Sequence, residues 1–186
     1  EALQATGFEA WIDAQMAAPA SSQLAHLLSL PAPNSSLEGQ TNRLEAFFVH
    51  ALKNEDQLRQ RMAFALSEIM VVSDEGVLFN AHRGLASYYD VLSRYAFGNF
   101  RDLMAAVTLH PAMGVYLSML RNEKPDLVRN IRPDENYARE LLQLFTIGLL
   151  ELNLDGTPRL DSAGRTIPTY DQSIIEGFAH VNTGWT

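Results

Sequence analysis

Four times along the chain a Thr or Asn stands three residues ahead of a Glu or Gln: Thr6 with Glu9, Asn42 with Glu45, Asn54 with Gln57, and Thr169 with Gln172. This spacing is the capping box, in which two side chains reciprocally satisfy backbone N–H groups left orphaned at a helix start. Apolar residues follow these starts at intervals of three and four, as in Leu58, Met62, Ala65, Leu66 and Ile69. Such spacing gives one apolar face on a helix of 3.6 residues per turn, and no sustained two-residue alternation competes with it. The expectation is an all-α, packed multi-helix fold.

The breakers divide the chain further. A helix running from Phe8 ends ahead of Pro19, and Pro31, Pro33, Asn34, Ser35 and Ser36 read as loop. Helices are expected from Asn42 through Leu52 and from Asn54 to Met70, with Ser73–Gly76 as a break. The next runs from about Asn80 to Phe97, with Gly98 as a left-handed stop. Asn99 caps a helix from Phe100 to Leu109, and Pro111 opens one that ends near Leu120. Arg121 to Arg132 is charged and broken by Pro125. Pro133 then starts the most regular helix, with Asp134 and Glu135 in the first turn, where negative charge suits the dipole. Asn153, Asp155-Gly156, Pro158 and Ser162-Ala163-Gly164 are turn chemistry, so residues 150–168 form a short irregular or β-hairpin insertion. A last helix carries Ile174, Ile175, Phe178 and Ala179. This makes about seven helices in a single helical domain spanning residues 1–186.

Composition narrows the functional classes. Of 186 residues 47% are hydrophobic, enough for a core, yet no apolar run reaches the roughly 18 to 20 residues of a membrane-spanning segment. Cysteine is absent, which removes disulfides and thiolate metal sites. The net charge of −8 repels phosphate backbones. The basic residues Arg121, Lys124, Arg129 and Arg132 are interrupted by Glu123 and Asp126, so no nucleic acid partner is expected.

The stretch from Pro133 to Gly148, PDENYARELLQLFTIG, resembles the signature of a bacterial family known as domain of unknown function 1800 (DUF 1800), close to PNENYARELLELFTLG. Tyr170, the helix with Ile174 and Phe178, and Thr183-Gly184-Trp185 resemble its later segments. So do His110-Pro111-Ala112-Met113, Asn99–Leu103 and Arg59–Ser67. The resemblance covers nearly the whole chain. It implies long bacterial proteins, commonly exported and often encoded beside a second exported family. The chain begins at Glu1 with no targeting segment in the residues present, and so reads as a fragment of a longer member. Two positions depart from the family pattern: Asp134 replaces an asparagine, and His180 stands where a basic residue is common. Phe64–Glu68 also lacks a W-x-H-N-H stretch carried by many members, and any metal bound through those histidines could not be bound that way here.

Two polar groupings are candidates for chemistry. On the helix after Pro133, Asn136, Arg139, Glu140 and Gln143 share one face at i, i+3, i+4 and i+7. Glu140 could act as acid, base or ligand and Arg139 could clamp an anion, with Asn136 and His110 beside them; a hydrogen-bonded network tying helices together explains the same pattern. Glu176 and His180, one turn apart, could supply two metal ligands, although a zinc site needs a third; otherwise Glu176 faces water and His180 caps a helix C-terminus. His110 itself can simply cap one helix and pack on another. No phosphate loop, nucleophile elbow or H-E-x-x-H helix is present, and nothing requires a cofactor. The leading expectation is an exported, periplasmic or cell-envelope helical module with a binding or assembly role and an envelope protein partner. The alternative is a hydrolase built on Glu140, Arg139, Asn136 and His110 in a cleft between helices.

Overall fold

The computed structural model describes residues 2–186, and they fall into two compact units, Glu1–Tyr116 and Leu117–Thr186. Ten α-helices occur among the described residues, and no strand. The first unit holds α1 (Ala2–Thr6), α2 (Phe8–Ala17), α3 (Gln23–Ser29), α4 (Ser36–Lys53), α5 (Gln57–Ile69), α6 (His82–Arg94), α7 (Phe100–Thr108) and α8 (Pro111–Tyr116). The second holds α9 (Asn136–Gln143) and α10 (Gln172–Val181). The helices that were not expected are α1 and α3, whose five and seven residues carry too little periodicity to announce themselves.

In the first unit α6 is the hub, packing against α3, α4, α5, α7 and α8. Its Leu85, Ala86, Tyr88 and Leu92 are buried with Met70, Leu78, Val107 and Met113. The Tyr88 hydroxyl donates to the carbonyl of Met70 at 2.6 Å, so the ring is buried without an unmet hydroxyl. In the second unit α9 and α10 close on one another through Ala138, Leu142, Ile175 and Ala179, with Tyr170 against this cluster.

Several helix starts differ from the sequence expectation. Helix α4 begins at Ser36, because Ser35 accepts from the Glu38 amide while Glu38 accepts from the Asn34 amide; this box lies about two turns ahead of Asn42. Thr6 ends α1 instead of capping α2, which follows Gly7 without a side-chain cap. Helix α5 begins at Gln57, where the Gln57 amide donates to the Asn54 carbonyl. Helix α9 starts at Asn136, since the Asp134 carboxylate holds the Asn136 amide and leaves Pro133–Glu135 outside. At α10 it is Asp171 that accepts from Ser173 and Ile174. Gly98 is not in the left-handed region, and α8 stops at Tyr116, short of Leu120. Asn99 caps α7 and Pro111 opens α8 as expected. Residues 149–169 form an irregular three-pass meander. Antiparallel bridges Leu150–Pro168, Leu152–Pro158 and Leu160–Thr166 hold it, with Gly156 and Gly164 at positive φ in its turns.

Candidate functional site

In the second unit, Asn122 is 7% exposed and pairs with the backbone of Asp134 in both directions, accepting from its amide at 2.8 Å and donating to its carbonyl at 3.1 Å. The Asn122 carbonyl accepts from Gly184, and the Trp185 carbonyl from Arg121. The Thr183-Gly184-Trp185 segment thus clamps the base of the loop leading into α9, and Gly184, at φ 87, makes the bend this requires.

From that base the chain makes a tight turn between Asp126 and Ile131, whose backbones exchange two hydrogen bonds. The Asp126 carboxylate accepts from the amides of Val128 and Arg129 and from the Arg129 guanidinium at 2.6 Å. These bonds, the Arg129 side chain first, hold the Asp126 carboxyl below its usual range. The turn presents Leu127 and Val128 to solvent, each 97% exposed.

Beside it lies a cavity of about 300 Å³, walled by Leu127, Ile131 and Arg132 on one side and by Glu135, Glu176 and His180 on the other. Glu135 accepts from the guanidinium of Arg139 at 2.9 Å and from the amide of Gln172 at 2.9 Å; Gln172 in turn lies 3.5 Å from Glu176. Gln172 therefore bridges two carboxylates across the α9–α10 pair. The candidate metal pair Glu176 and His180 does line a cavity, but among the described residues no group of three or more His, Asp and Glu could share an ion.

Arg139 is 42% exposed and engaged with Glu135, and Asn136 is exposed. Glu140 is half-buried, with Oε2 enclosed and without a hydrogen-bond partner. His110 belongs to the first unit: its Nδ1 accepts from the Ala112 amide at 3.2 Å, and its Nε2 lies 3.2 Å from the Ser87 hydroxyl. The ring meets Tyr88 edge-on at 5.3 Å, and burial lowers its pKa. Both nitrogens are committed to capping α8 and holding α6. Sequence reasoning gave Gln172 and Glu135 helix-start roles and Arg132 a place in a scattered basic stretch, and did not put them or Leu127 at a site; the fold of the loop onto α10 brings them together.

The first unit assembles a Ser, a His and an Asp that no local spacing groups. The Ser21 hydroxyl lies 2.9 Å from His50 Nδ1, 3.0 and 3.1 Å from the two oxygens of Asp56, and 3.1 Å from the Gln60 amide. In a catalytic triad the carboxylate orients the imidazole; here it holds the hydroxyl itself. With three polar side chains around it, Ser21 is a structural knot joining the loop before α3 to α4 and α5. Burial, followed by the neighbouring His26, lowers the His50 pKa against the opposing pull of Asp56 and Asp90.

No curated protein and no solved structure matches the chain. A family profile does, over residues 1–186, and its description is "Protein of unknown function (DUF1800)". The chain, with its helical architecture and with Asn122 and Gly184 clamping the α9 signature segment, belongs to the DUF1800 family.

Proposed function

We propose that the chain is a binding and assembly module of an exported bacterial cell-envelope protein, docking a protein partner on its second unit. The observation that carries this reading is the Asp126–Ile131 turn, which holds Leu127 and Val128 almost wholly in water. Burying one aliphatic side chain of this size contributes about 1.5 to 3 kcal/mol. The carboxylate of Asp126 already orders the turn, so little entropy opposes docking. The adjoining cavity, with Arg132, Glu176 and His180, supplies a polar rim of the kind that surrounds an apolar anchor. A net charge of −8 favours a protein partner over nucleic acid, and the envelope setting follows from what family resemblance implies.

A photo-crosslinking residue placed at Val128 in producing cells tests the docking, with Asp13 on α2 as the control position. A discrete adduct at Val128 that is absent at Asp13 and lost on Leu127→Asp supports it. No adduct, or the same adducts at both positions, overturns it. Fractionation tests the setting: full-length protein confined to the cytoplasm would refute export.

A hydrolase centred on Glu140 is the second reading, favoured by the enclosed, unpartnered Oε2 of that carboxylate. Turnover of a defined ester, amide or glycoside that is lost on Glu140→Gln, with the fold intact, would put this reading first.

A further inference from the structure

In the first unit a cavity of about 280 Å³ lies where the α3–α4 loop faces the starts of α4 and α6. Leu27, Pro31 and Pro33 form its apolar wall. Four polar side chains converge on it from the other side: Asn42, Asn80, His82 and Arg83. Among the described residues no hydrogen bond or ion pair engages the side chains of Asn42, Asn80 or Arg83, and His82 Nδ1 is enclosed without a partner. Asn80 and Arg83 are exposed and Asn42 is half-buried, so their donors are open to a ligand from solvent, and His82 Nδ1 is the enclosed polar atom at the site whose hydrogen bond is unmet. The pattern of an apolar wall with a few convergent polar groups is that of a small-molecule site.

The charges fix the sign of the ligand. Arg43 and Asp74, whose charges act on His82, form an ion pair closed on itself at 2.5 Å and further held by Gln40. Among the lining residues Arg83 carries the full charge, and it is positive. Asn42 and Asn80 can donate, and the first amides of α6 carry no side-chain cap. One cation with neutral donors suits a singly charged anion better than a phosphate.

We propose that this cavity binds a small monocarboxylate with an apolar body, its carboxylate at Arg83, Asn80 and Asn42 and its body against Leu27, Pro31 and Pro33. The site lies wholly within the first unit and is independent of the docking surface on the second. Gly39 belongs to its construction: a Cβ there would collide with the His82 ring, so only glycine lets that ring lie against α4. Gly84 is different, since a Cβ there meets only Ala81, at 3.8 Å, and a side chain can be added without a clash at its base.

Titration of the purified chain with benzoate, followed by amide chemical shifts in NMR, tests the site, with uncharged benzamide as the matched control. For a ligand this small the expected Kd is on the order of 1 mM, with benzamide about tenfold weaker. Arg83→Gln, at an unpaired surface position, should weaken benzoate about tenfold to the level of benzamide. Gly84→Leu should abolish the shifts at residues 80–84 while the remaining spectrum shows an intact fold. Equal binding of benzoate and benzamide, unchanged shifts in Gly84→Leu, or no shift at roughly tenfold the expected Kd would each overturn the proposal.

Discussion

Asp56 is 2% exposed, and replacing it with alanine removes the acceptor on which three donors converge: the Ser21 amide at 2.9 Å, the Ser21 hydroxyl, and the Gln60 amide at 3.1 Å. The three losses are unequal. The hydroxyl retains His50 at 2.9 Å and the Gln60 amide retains the Ser21 hydroxyl, so each loses about 0.5 to 1.5 kcal/mol. The Ser21 amide has no other partner, and orphaning a buried donor costs about 1 to 3 kcal/mol. Relief of the buried carboxylate's desolvation offsets part of this, leaving a loss of about 3 kcal/mol. Denaturant unfolding of Asp56→Ala against the parent, compared at equal m, measures it. Because Asp56 raises the His50 pKa, its removal should also lower the His50 titration midpoint in NMR. A loss below about 1 kcal/mol, or a His50 midpoint that rises, would mean that Asp56 does not hold this knot together.

Asn122→Ala should cost about 2 to 3 kcal/mol by thermal or chemical unfolding, since it strips partners from both the amide and the carbonyl of Asp134. Gly39→Ala should destabilise by about 1 to 3 kcal/mol through displacement of His82, whereas Gly84→Ala should be neutral or gain up to about 1 kcal/mol; reversed signs in calorimetry would contradict this. The pKa values of His50, His82 and His110 are all lowered in the fold, chiefly by burial. Such groups favour the neutral form, so their contribution is full above the unfolded value of 6.5 and is lost as pH falls below it. Melting temperature should therefore drop between pH 7.5 and about 5.5, and a flat profile would exclude the contribution.

Local chemistry was readable where an element is specified by its own neighbours. Asn99 accepts from the amide two residues on, Pro111 occupies a first turn where no N–H is missed, and Gly156 and Gly164 take up positive φ in the turns of the meander. The all-α class followed from the same short-range signals. Helix starts were misplaced where two candidate caps lie close together along the chain, Ser35 about two turns ahead of Asn42 and Asp171 two residues after Thr169, because propensity alone does not rank them.

Helix α3 depends on a partner far away along the chain. Its first amides are satisfied by Ser22 and by Asp90, which reaches from α6 across 66 and 67 residues of sequence to the amides of Leu24 and Gln23. The candidate site divides in the same way. The polar face of α9 and the Glu176–His180 turn follow from helical spacing, which a chain carries within itself. The Glu135–Arg139 pair, four residues apart, is likewise local, whereas that Gln172 reaches Glu135 and that Leu127 lines one cavity with His180 depend on how a loop folds back over α10. Side-chain periodicity reports which face a residue occupies; only packing between distant segments decides what that face meets.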